Sequence, residues 1–186
     1  MLGVILARFQ PIHNGHVALI EQALKSCDLL HIFIGSADKV NQRNPIPVDV
    51  REEYVKEVIK EKFPTYQDRI FIHRLDDLSN EANNTYEWGI YLYANIVGVI
   101  NSARFTIFYS DGIDIITSWF YPWMLKNFVS LVLLARNSIE QGVSATKVRK
   151  AIIEGKEEDL KCMLPKAIYD MRNQIKHYIE LSNYNR

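Results

Sequence analysis

Five short apolar runs set the terms for what this chain can fold into. They cover residues 2–7, 29–35, 70–75, 105–109 and 128–135, and none alternates cleanly between apolar and polar. A strand with one wet face alternates, so a run without alternation fits a strand covered on both faces. Helical patterns lie between the runs. Residues 16–26 put Val17, Ile20 and Leu24 on one side, and residues 49–63 do the same with Val50, Tyr54, Val58 and Ile59. Asp49 and Glu52 have the spacing of a capping box at the second helix's start. Residues 85–100 are apolar nearly all round and read as a well-buried helix. Strands joined by helical crossovers imply an α/β fold: a doubly wound, parallel, five-stranded Rossmann-like sheet.

The end of the chain departs from this pattern. Residues 144–154, 157–163 and 165–181 read as consecutive helices with no strand between them, and Pro165 fits the first turn of the last. We expect a single domain over 1–186 whose segment 144–186 forms a small helical cap against the sheet's carboxyl end. At 186 residues the chain can bury a core without metal or disulfide staples. Its two cysteines, Cys27 and Cys162, cannot make a disulfide scaffold and read as buried, reduced thiols of a cytoplasmic protein. No run approaches the length of a membrane-spanning helix, and the first apolar run is too short for a signal peptide before Arg8 ends it.

Charge narrows the partners. Lys and Arg number 22 against 22 Asp and Glu, a formal net charge of zero. A nucleic-acid binder relying on bulk positive charge is therefore disfavoured, and phosphate chemistry must come from a local cluster.

One such cluster follows the first strand: Ala7-Arg8-Phe9-Gln10-Pro11-Ile12-His13-Asn14-Gly15-His16. A helix starting there points unpaired N–H groups and partial positive charge at whatever lies in front of it. Gly15 permits close backbone approach, His13 and His16 can donate to phosphate oxygens, and Arg8 adds a permanent planar cation. Two histidines three apart also begin a metal site, but no Cys, His or carboxylate partner lies near them in sequence. A second cluster, Val143-Ser144-Ala145-Thr146-Lys147-Val148-Arg149, opens the first tail helix, with Ser144 as its N-cap. Cations in a first turn oppose the helix dipole, which suggests an anion sits nearby. The plain alternative is a capped helix with solvated charges.

Arg-Phe-Gln-Pro-x-His-x-Gly-His resembles the signature of the nucleotidyltransferase superfamily, in the longer form of archaeal-type nicotinamide-nucleotide adenylyltransferases. The second segment resembles that superfamily's Ile-Ser-x-Thr-x-x-Arg, with Val143 in place of Ile. This chain departs at Ala7, where the family usually has Gly, and at Ile12, where it usually has an aromatic residue. The resemblance implies transfer of AMP from ATP to nicotinamide or nicotinate mononucleotide, with Mg²⁺ carried in on ATP. By the same resemblance His16, His13, Arg8 and Arg149 are catalytic, and Ala7, Phe9, Gly15, Ser144 and Thr146 bind ATP. Asp111 and Gly112, after the fourth strand, match the family's adenosine contacts. On the acceptor side the resemblance points to Arg43, Asn44 and Arg51, and to Asn84 and Trp88 for the nicotinamide end. It also implies small-molecule partners, no nucleic acid, no membrane, and a homo-oligomer.

Each of these segments has a plainer reading. Asn44-Pro45 can be a turn, Arg51 a solvated helix residue, Asn84 an N-cap with Glu87 behind it, and Trp88 core. The cluster Trp119, Tyr121, Pro122 and Trp123 matches nothing and reads as packing or an oligomer contact. Phosphopantetheine, a flavin mononucleotide or a CTP-dependent reaction would keep both phosphate motifs and change the partner. A non-catalytic nucleotide sensor is the alternative of another class. A dinucleotide-binding dehydrogenase and a P-loop enzyme are disfavoured, since neither glycine fingerprint is present.

Overall fold

The structure, a computed structural model, describes residues 1–79, 85–110, 113–134 and 142–184. Its elements run β1 (Leu2–Ala7), α1 (Asn14–Ser26), β2 (Leu29–Ile34), α2 (Val48–Lys62), a 3-10 segment (Pro64–Arg69), β3 (Ile70–Arg74) and α3 (Tyr86–Ile100). Then follow β4 (Phe105–Tyr109), α4 (Ile113–Trp119), α5 (Pro122–Asn127), β5 (Val129–Leu133), α6 (Ala145–Glu154), α7 (Glu157–Met163), α8 (Lys166–Asp170) and α9 (Arg172–Tyr184). The five strands pair in parallel in the order β3-β2-β1-β4-β5. The chain therefore winds outward from β1 to β3, then crosses back to β4 on β1's other side. The carboxyl ends of β1 and β4 flank the switch point where such sheets bind ligands.

Side chains alternate across the sheet and make two cores. Ile5, Ile32, Ile34 and Phe108 face α1, α2 and the tail helices; Val4, Phe33, Ile107 and Tyr109 face α3, α4 and α5. The central strands β1, β2 and β4 are covered on both faces, as their runs implied, whereas the edge strands β3 and β5 leave Phe71 and Leu133 exposed. α3 approaches α4 so closely that a Cβ on Gly89 would stand 1.7 Å from the Trp119 carbonyl oxygen. Only glycine fits there.

Several expectations need correction. No capping box opens α2: its N-cap is Pro47, and Asp49 and Glu52 both reach across to Arg74 at 2.6 Å. The α3 N-cap is Thr85, whose hydroxyl accepts the Trp88 N–H, instead of Asn84. α3 is not buried all round; Trp88, Leu92 and Ile96 face the core while Tyr86 and Ile90 are exposed. The last predicted helix is two, α8 and α9, separated at Met171 (ψ 6°), and Pro165 is the N-cap of α8. Cys27 is buried but Cys162 is exposed. The tail helices cap the molecule by extending the α1/α2 layer, with Leu160, Ile168 and Ile175 in the same core as Leu19 and Val58. Among the described residues no helix is long and apolar enough to cross a membrane.

Candidate active site

A cleft of about 470 Å³ opens at the switch point. Its walls come from the β1–α1 turn (Arg8, Phe9, His13, Gly15, His16), from Ser110 after β4, and from the start of α6 (Ser144, Thr146, Arg149). Arg43, on the loop after β2, closes one side. Thus two segments far apart in sequence, each at a helix N-terminus, face one space.

The turn is shaped from below. Phe9 (φ 50°) and Ser36 (φ 49°) both adopt the left-handed conformation that a side chain disfavours. Arg51 holds the peptides around them. Its guanidinium donates to the carbonyls of Arg8 (2.8 Å), Gly35 (2.8 Å) and Ser36 (2.9 Å). Arg51 is 0% exposed. Burial first, then the nearby cation of Arg8, lowers its pKa to about 10, and it stays charged at neutral pH. A buried guanidinium is tolerable when its N–H groups meet carbonyl oxygens arranged for them.

The histidines are neutral donors. His13, the N-cap of α1, is buried, and burial lowers its pKa to about 4. His16 lies half-buried, with its ring stacked on that of His13 at 3.9 Å between centroids. Its pKa falls well below the usual value through burial and the neighbouring His13. The His13 backbone N–H donates to His16 Nδ1 at 3.3 Å. In a neutral imidazole the proton must then be on Nε2. That contact sets His16 up to donate, and the buried His13 Nδ1 has no partner.

Charge in the cleft comes from arginines. Arg8 has a lowered pKa through burial, then through Arg43 and Arg149, with Asp77 opposing. Guanidiniums that repel one another across a cleft make a site whose energy falls when a polyanion enters. Arg149 donates one N–H to the Gln10 carbonyl at 2.7 Å. Ser144 caps α6 by accepting the Lys147 N–H at 3.3 Å, and Lys147 turns away to the Gly142 carbonyl at 2.9 Å. Thr146 is exposed on the first turn.

Four expected site residues are elsewhere. Ala7 ends β1, gives its carbonyl to the Gly35 N–H at 2.9 Å, and does not line the cleft. Arg51 is the strut just described, neither in the cleft nor solvated. Asn44 is buried in its own loop, with its amide on Asn41 Oδ1 at 3.3 Å. Trp88 is 4% exposed and packs edge-on against Trp119, on the side of α3 that faces the core. Asn84, Asp111 and Gly112 lie outside the described residues. The aromatic cluster divides: Trp119 is half-buried against Trp88, Tyr121 stacks on Tyr86 at 3.9 Å, and Trp123 is exposed. The sequence reading missed Gln10 and Ser110 as cleft residues. Gln10 stood inside the motif, and only its buried side chain would have drawn notice.

Comparison with known proteins agrees with this geometry. A nicotinamide-nucleotide adenylyltransferase of Thermococcus onnurineus is 27% identical over 94% of this chain and 83% of its own length. One from Thermococcus sibiricus is 29% identical over 83% of this chain and 82% of its own. Among solved structures, a bifunctional NMN adenylyltransferase/ADP ribose pyrophosphatase from Francisella tularensis, complexed with AMP and a manganese ion, superposes with a TM-score of 0.69 at 19% identity. That likeness is one of fold, covering 99% of this chain, which spans 52% of the longer protein. The cytidylyltransferase-like family matches residues 4–151, from the first strand to the basic turn of α6. Both walls of the cleft fall within that match, and the chain belongs to the cytidylyltransferase-like family.

Proposed function

We propose that this chain transfers AMP from ATP to the 5′-phosphate of nicotinamide mononucleotide, or of its nicotinate counterpart. The observation that carries the proposal is the convergence of Arg8, Arg43, Arg149 and two neutral histidines on one cleft. The relatives' names support the choice of a pyridine nucleotide as acceptor.

The acceptor phosphate is already an anion near neutral pH, so no general base is required. An acceptor oxygen bonds to the α-phosphorus as the bond from that phosphorus to the bridging oxygen breaks, and pyrophosphate carries away the electron pair. The protein's contribution is alignment and charge stabilisation. His16 Nε2–H donates to the α-phosphate as charge grows there. His13, Arg8 and Arg149 hold the triphosphate, the Ser144 and Thr146 hydroxyls with the first turn of α6 receive the outer phosphates, and Arg43 meets the acceptor. Among the described residues the cleft wall contains no carboxylate. A Mg²⁺ ion would enter as part of the ATP substrate.

Pyrophosphate release from ATP and Mg²⁺, measured with each acceptor alone, tests the proposal. Turnover with a pyridine nucleotide and none with flavin mononucleotide or phosphopantetheine supports it, and the amide-to-acid ratio sets the preference. Turnover only with another acceptor overturns the acceptor assignment. Tight ATP binding without turnover overturns the catalytic reading.

A further inference from the structure

Gln10 is 3% exposed, yet its side chain belongs to no helix, strand or solvent contact. Its amide pairs with both backbone groups of a single residue on the loop after β2. Nε2 donates to the Ile46 carbonyl at 3.0 Å, and Oε1 accepts the Ile46 N–H at 2.9 Å. Its own carbonyl meanwhile accepts from Arg149 at 2.7 Å. One residue thus touches both phosphate motifs and the loop that brings Arg43 to the cleft.

Elsewhere the loop is held where Gln42 donates to Asn183 Oδ1 at 3.3 Å, where Arg51 donates to the Ser36 carbonyl at 2.9 Å, and by the burial of Ile46 in the core. Asn41 and Asn44 form an isolated bridge, and Asn41 Oδ1 accepts the backbone N–H groups of Arg43 and Asn44. Those bonds are internal and set the loop's shape, not its distance from the cleft. Ile46 stands between Pro45 and Pro47, so its N–H is the one backbone donor in that tripeptide. Ile46 is fully buried, and an unmatched N–H or carbonyl there would be costly. Only a group with a donor and an acceptor side by side can satisfy both. The glutamine amide has that pair; a carboxylate offers two acceptors, and an aliphatic chain neither.

We infer that Gln10 is a positioning residue, one that clamps the Arg43 loop to the ATP-binding turn and so sets acceptor binding independently of ATP binding. The inference rests on the proposed function in taking the Arg43 loop as the acceptor side.

Two variants test it. Gln10→Glu keeps the shape and, when ionised, loses the donor; Gln10→Leu loses both groups. Both should raise the acceptor KM about tenfold, the scale of one lost buried hydrogen bond, while ATP affinity changes less than about threefold. Protonating the new carboxyl restores a donor toward the Ile46 carbonyl. Burial of the new carboxyl raises its pKa above the usual value of about 4.3, so the acceptor KM of Gln10→Glu should recover toward wild type as the pH falls toward about 5, and that of Gln10→Leu should not. Arg8, Arg43, Arg149, His13 and His16 line the same cleft and are the other titratable groups among its described walls. Wild type measured in parallel removes their contribution. Hydrogen exchange read directly at the Ile46 amide should be faster in Gln10→Leu. Equal rises in both substrates' KM without recovery at low pH would overturn the clamp, as would unchanged exchange at Ile46. If wild type turns over no pyridine nucleotide, the proposed function fails, and exchange at Ile46 still decides whether Gln10 holds the loop.

Discussion

The two walls of the cleft are built in opposite ways. In the β1–α1 turn Phe9, Gln10, Ile12 and His13 are all buried, and its carbonyls are claimed by Arg51 and Arg149. At the start of α6, Thr146 and Lys147 are exposed, and the cap is one Ser144 bond of 3.3 Å. The turn is rigid before any ligand arrives, as a transition-state donor needs to be. The helix start presents the exposed Thr146 to the cleft, where it can adjust to a polyphosphate. Under the proposed reaction, preorganisation is concentrated where the bond would change, and adaptability where the leaving group would be gripped.

That contrast can be broken at the strut. Arg51→Met should destabilise the fold by about 4 kcal/mol, because three buried carbonyls lose charge-assisted donors worth about 1–3 kcal/mol each. Urea unfolding reads this directly, and a loss below about 1 kcal/mol would mean the turn's rigidity originates elsewhere.

Acid should attack the turn next. His13 has its pKa lowered to about 4 in the fold, against the usual 6.5 of an unfolded chain. Its contribution is complete above pH 6.5 and lost as the pH falls toward 4, since the unfolded chain takes up the proton first. The loss amounts to roughly 3 kcal/mol. His31, lowered to about 4 by burial and then by His73, its hydrogen-bond partner at 2.9 Å, titrates in the same window. Comparing unfolding of His13→Gln and wild type across that window separates the two; parallel curves would remove His13 as a cause.

His16→Ala should lower kcat about 10²-fold, near 2.7 kcal/mol, with a smaller loss of stability, about 1 kcal/mol, from the His13 N–H it leaves without its acceptor. Pyrophosphate release measures it, and a loss under about threefold in a folded variant would take His16 out of the mechanism.

The smallest effect belongs to the other wall. Ser144→Ala should cost about 1 kcal/mol in unfolding, as loss of one N-cap does, and should raise the KM for ATP more than it lowers kcat. A kcat loss as large as that of His16→Ala would erase the difference between the walls.

Much of this was readable beforehand because it rests on local rules. The unalternating runs meant strands of one covered sheet; all five lie in one parallel sheet, and the edge strands β3 and β5 are the ones left partly exposed. The positions of Arg8, His13, His16, Ser144 and Arg149 at helix starts marked two anion-facing segments, the resemblance joined them in one site, and the fold brings them to one cleft. The acceptor side was harder. Arg51 and Trp88 carried chemistry compatible with a ligand, but their surroundings come from elements distant in sequence. Arg51 meets carbonyls 15 to 43 residues away, and Trp88 packs against Trp119. No local pattern distinguishes a guanidinium facing phosphate from one facing peptide oxygens, since both present the same acceptor chemistry. Residue order by itself determined the strands, the crossovers and the two phosphate-facing helix starts, because spacing and capping act within a few residues. Only the tertiary structure decided which polar groups would be satisfied inside the protein and which would be left for a ligand, because burial and hydrogen-bond partnership depend on contacts across the whole chain.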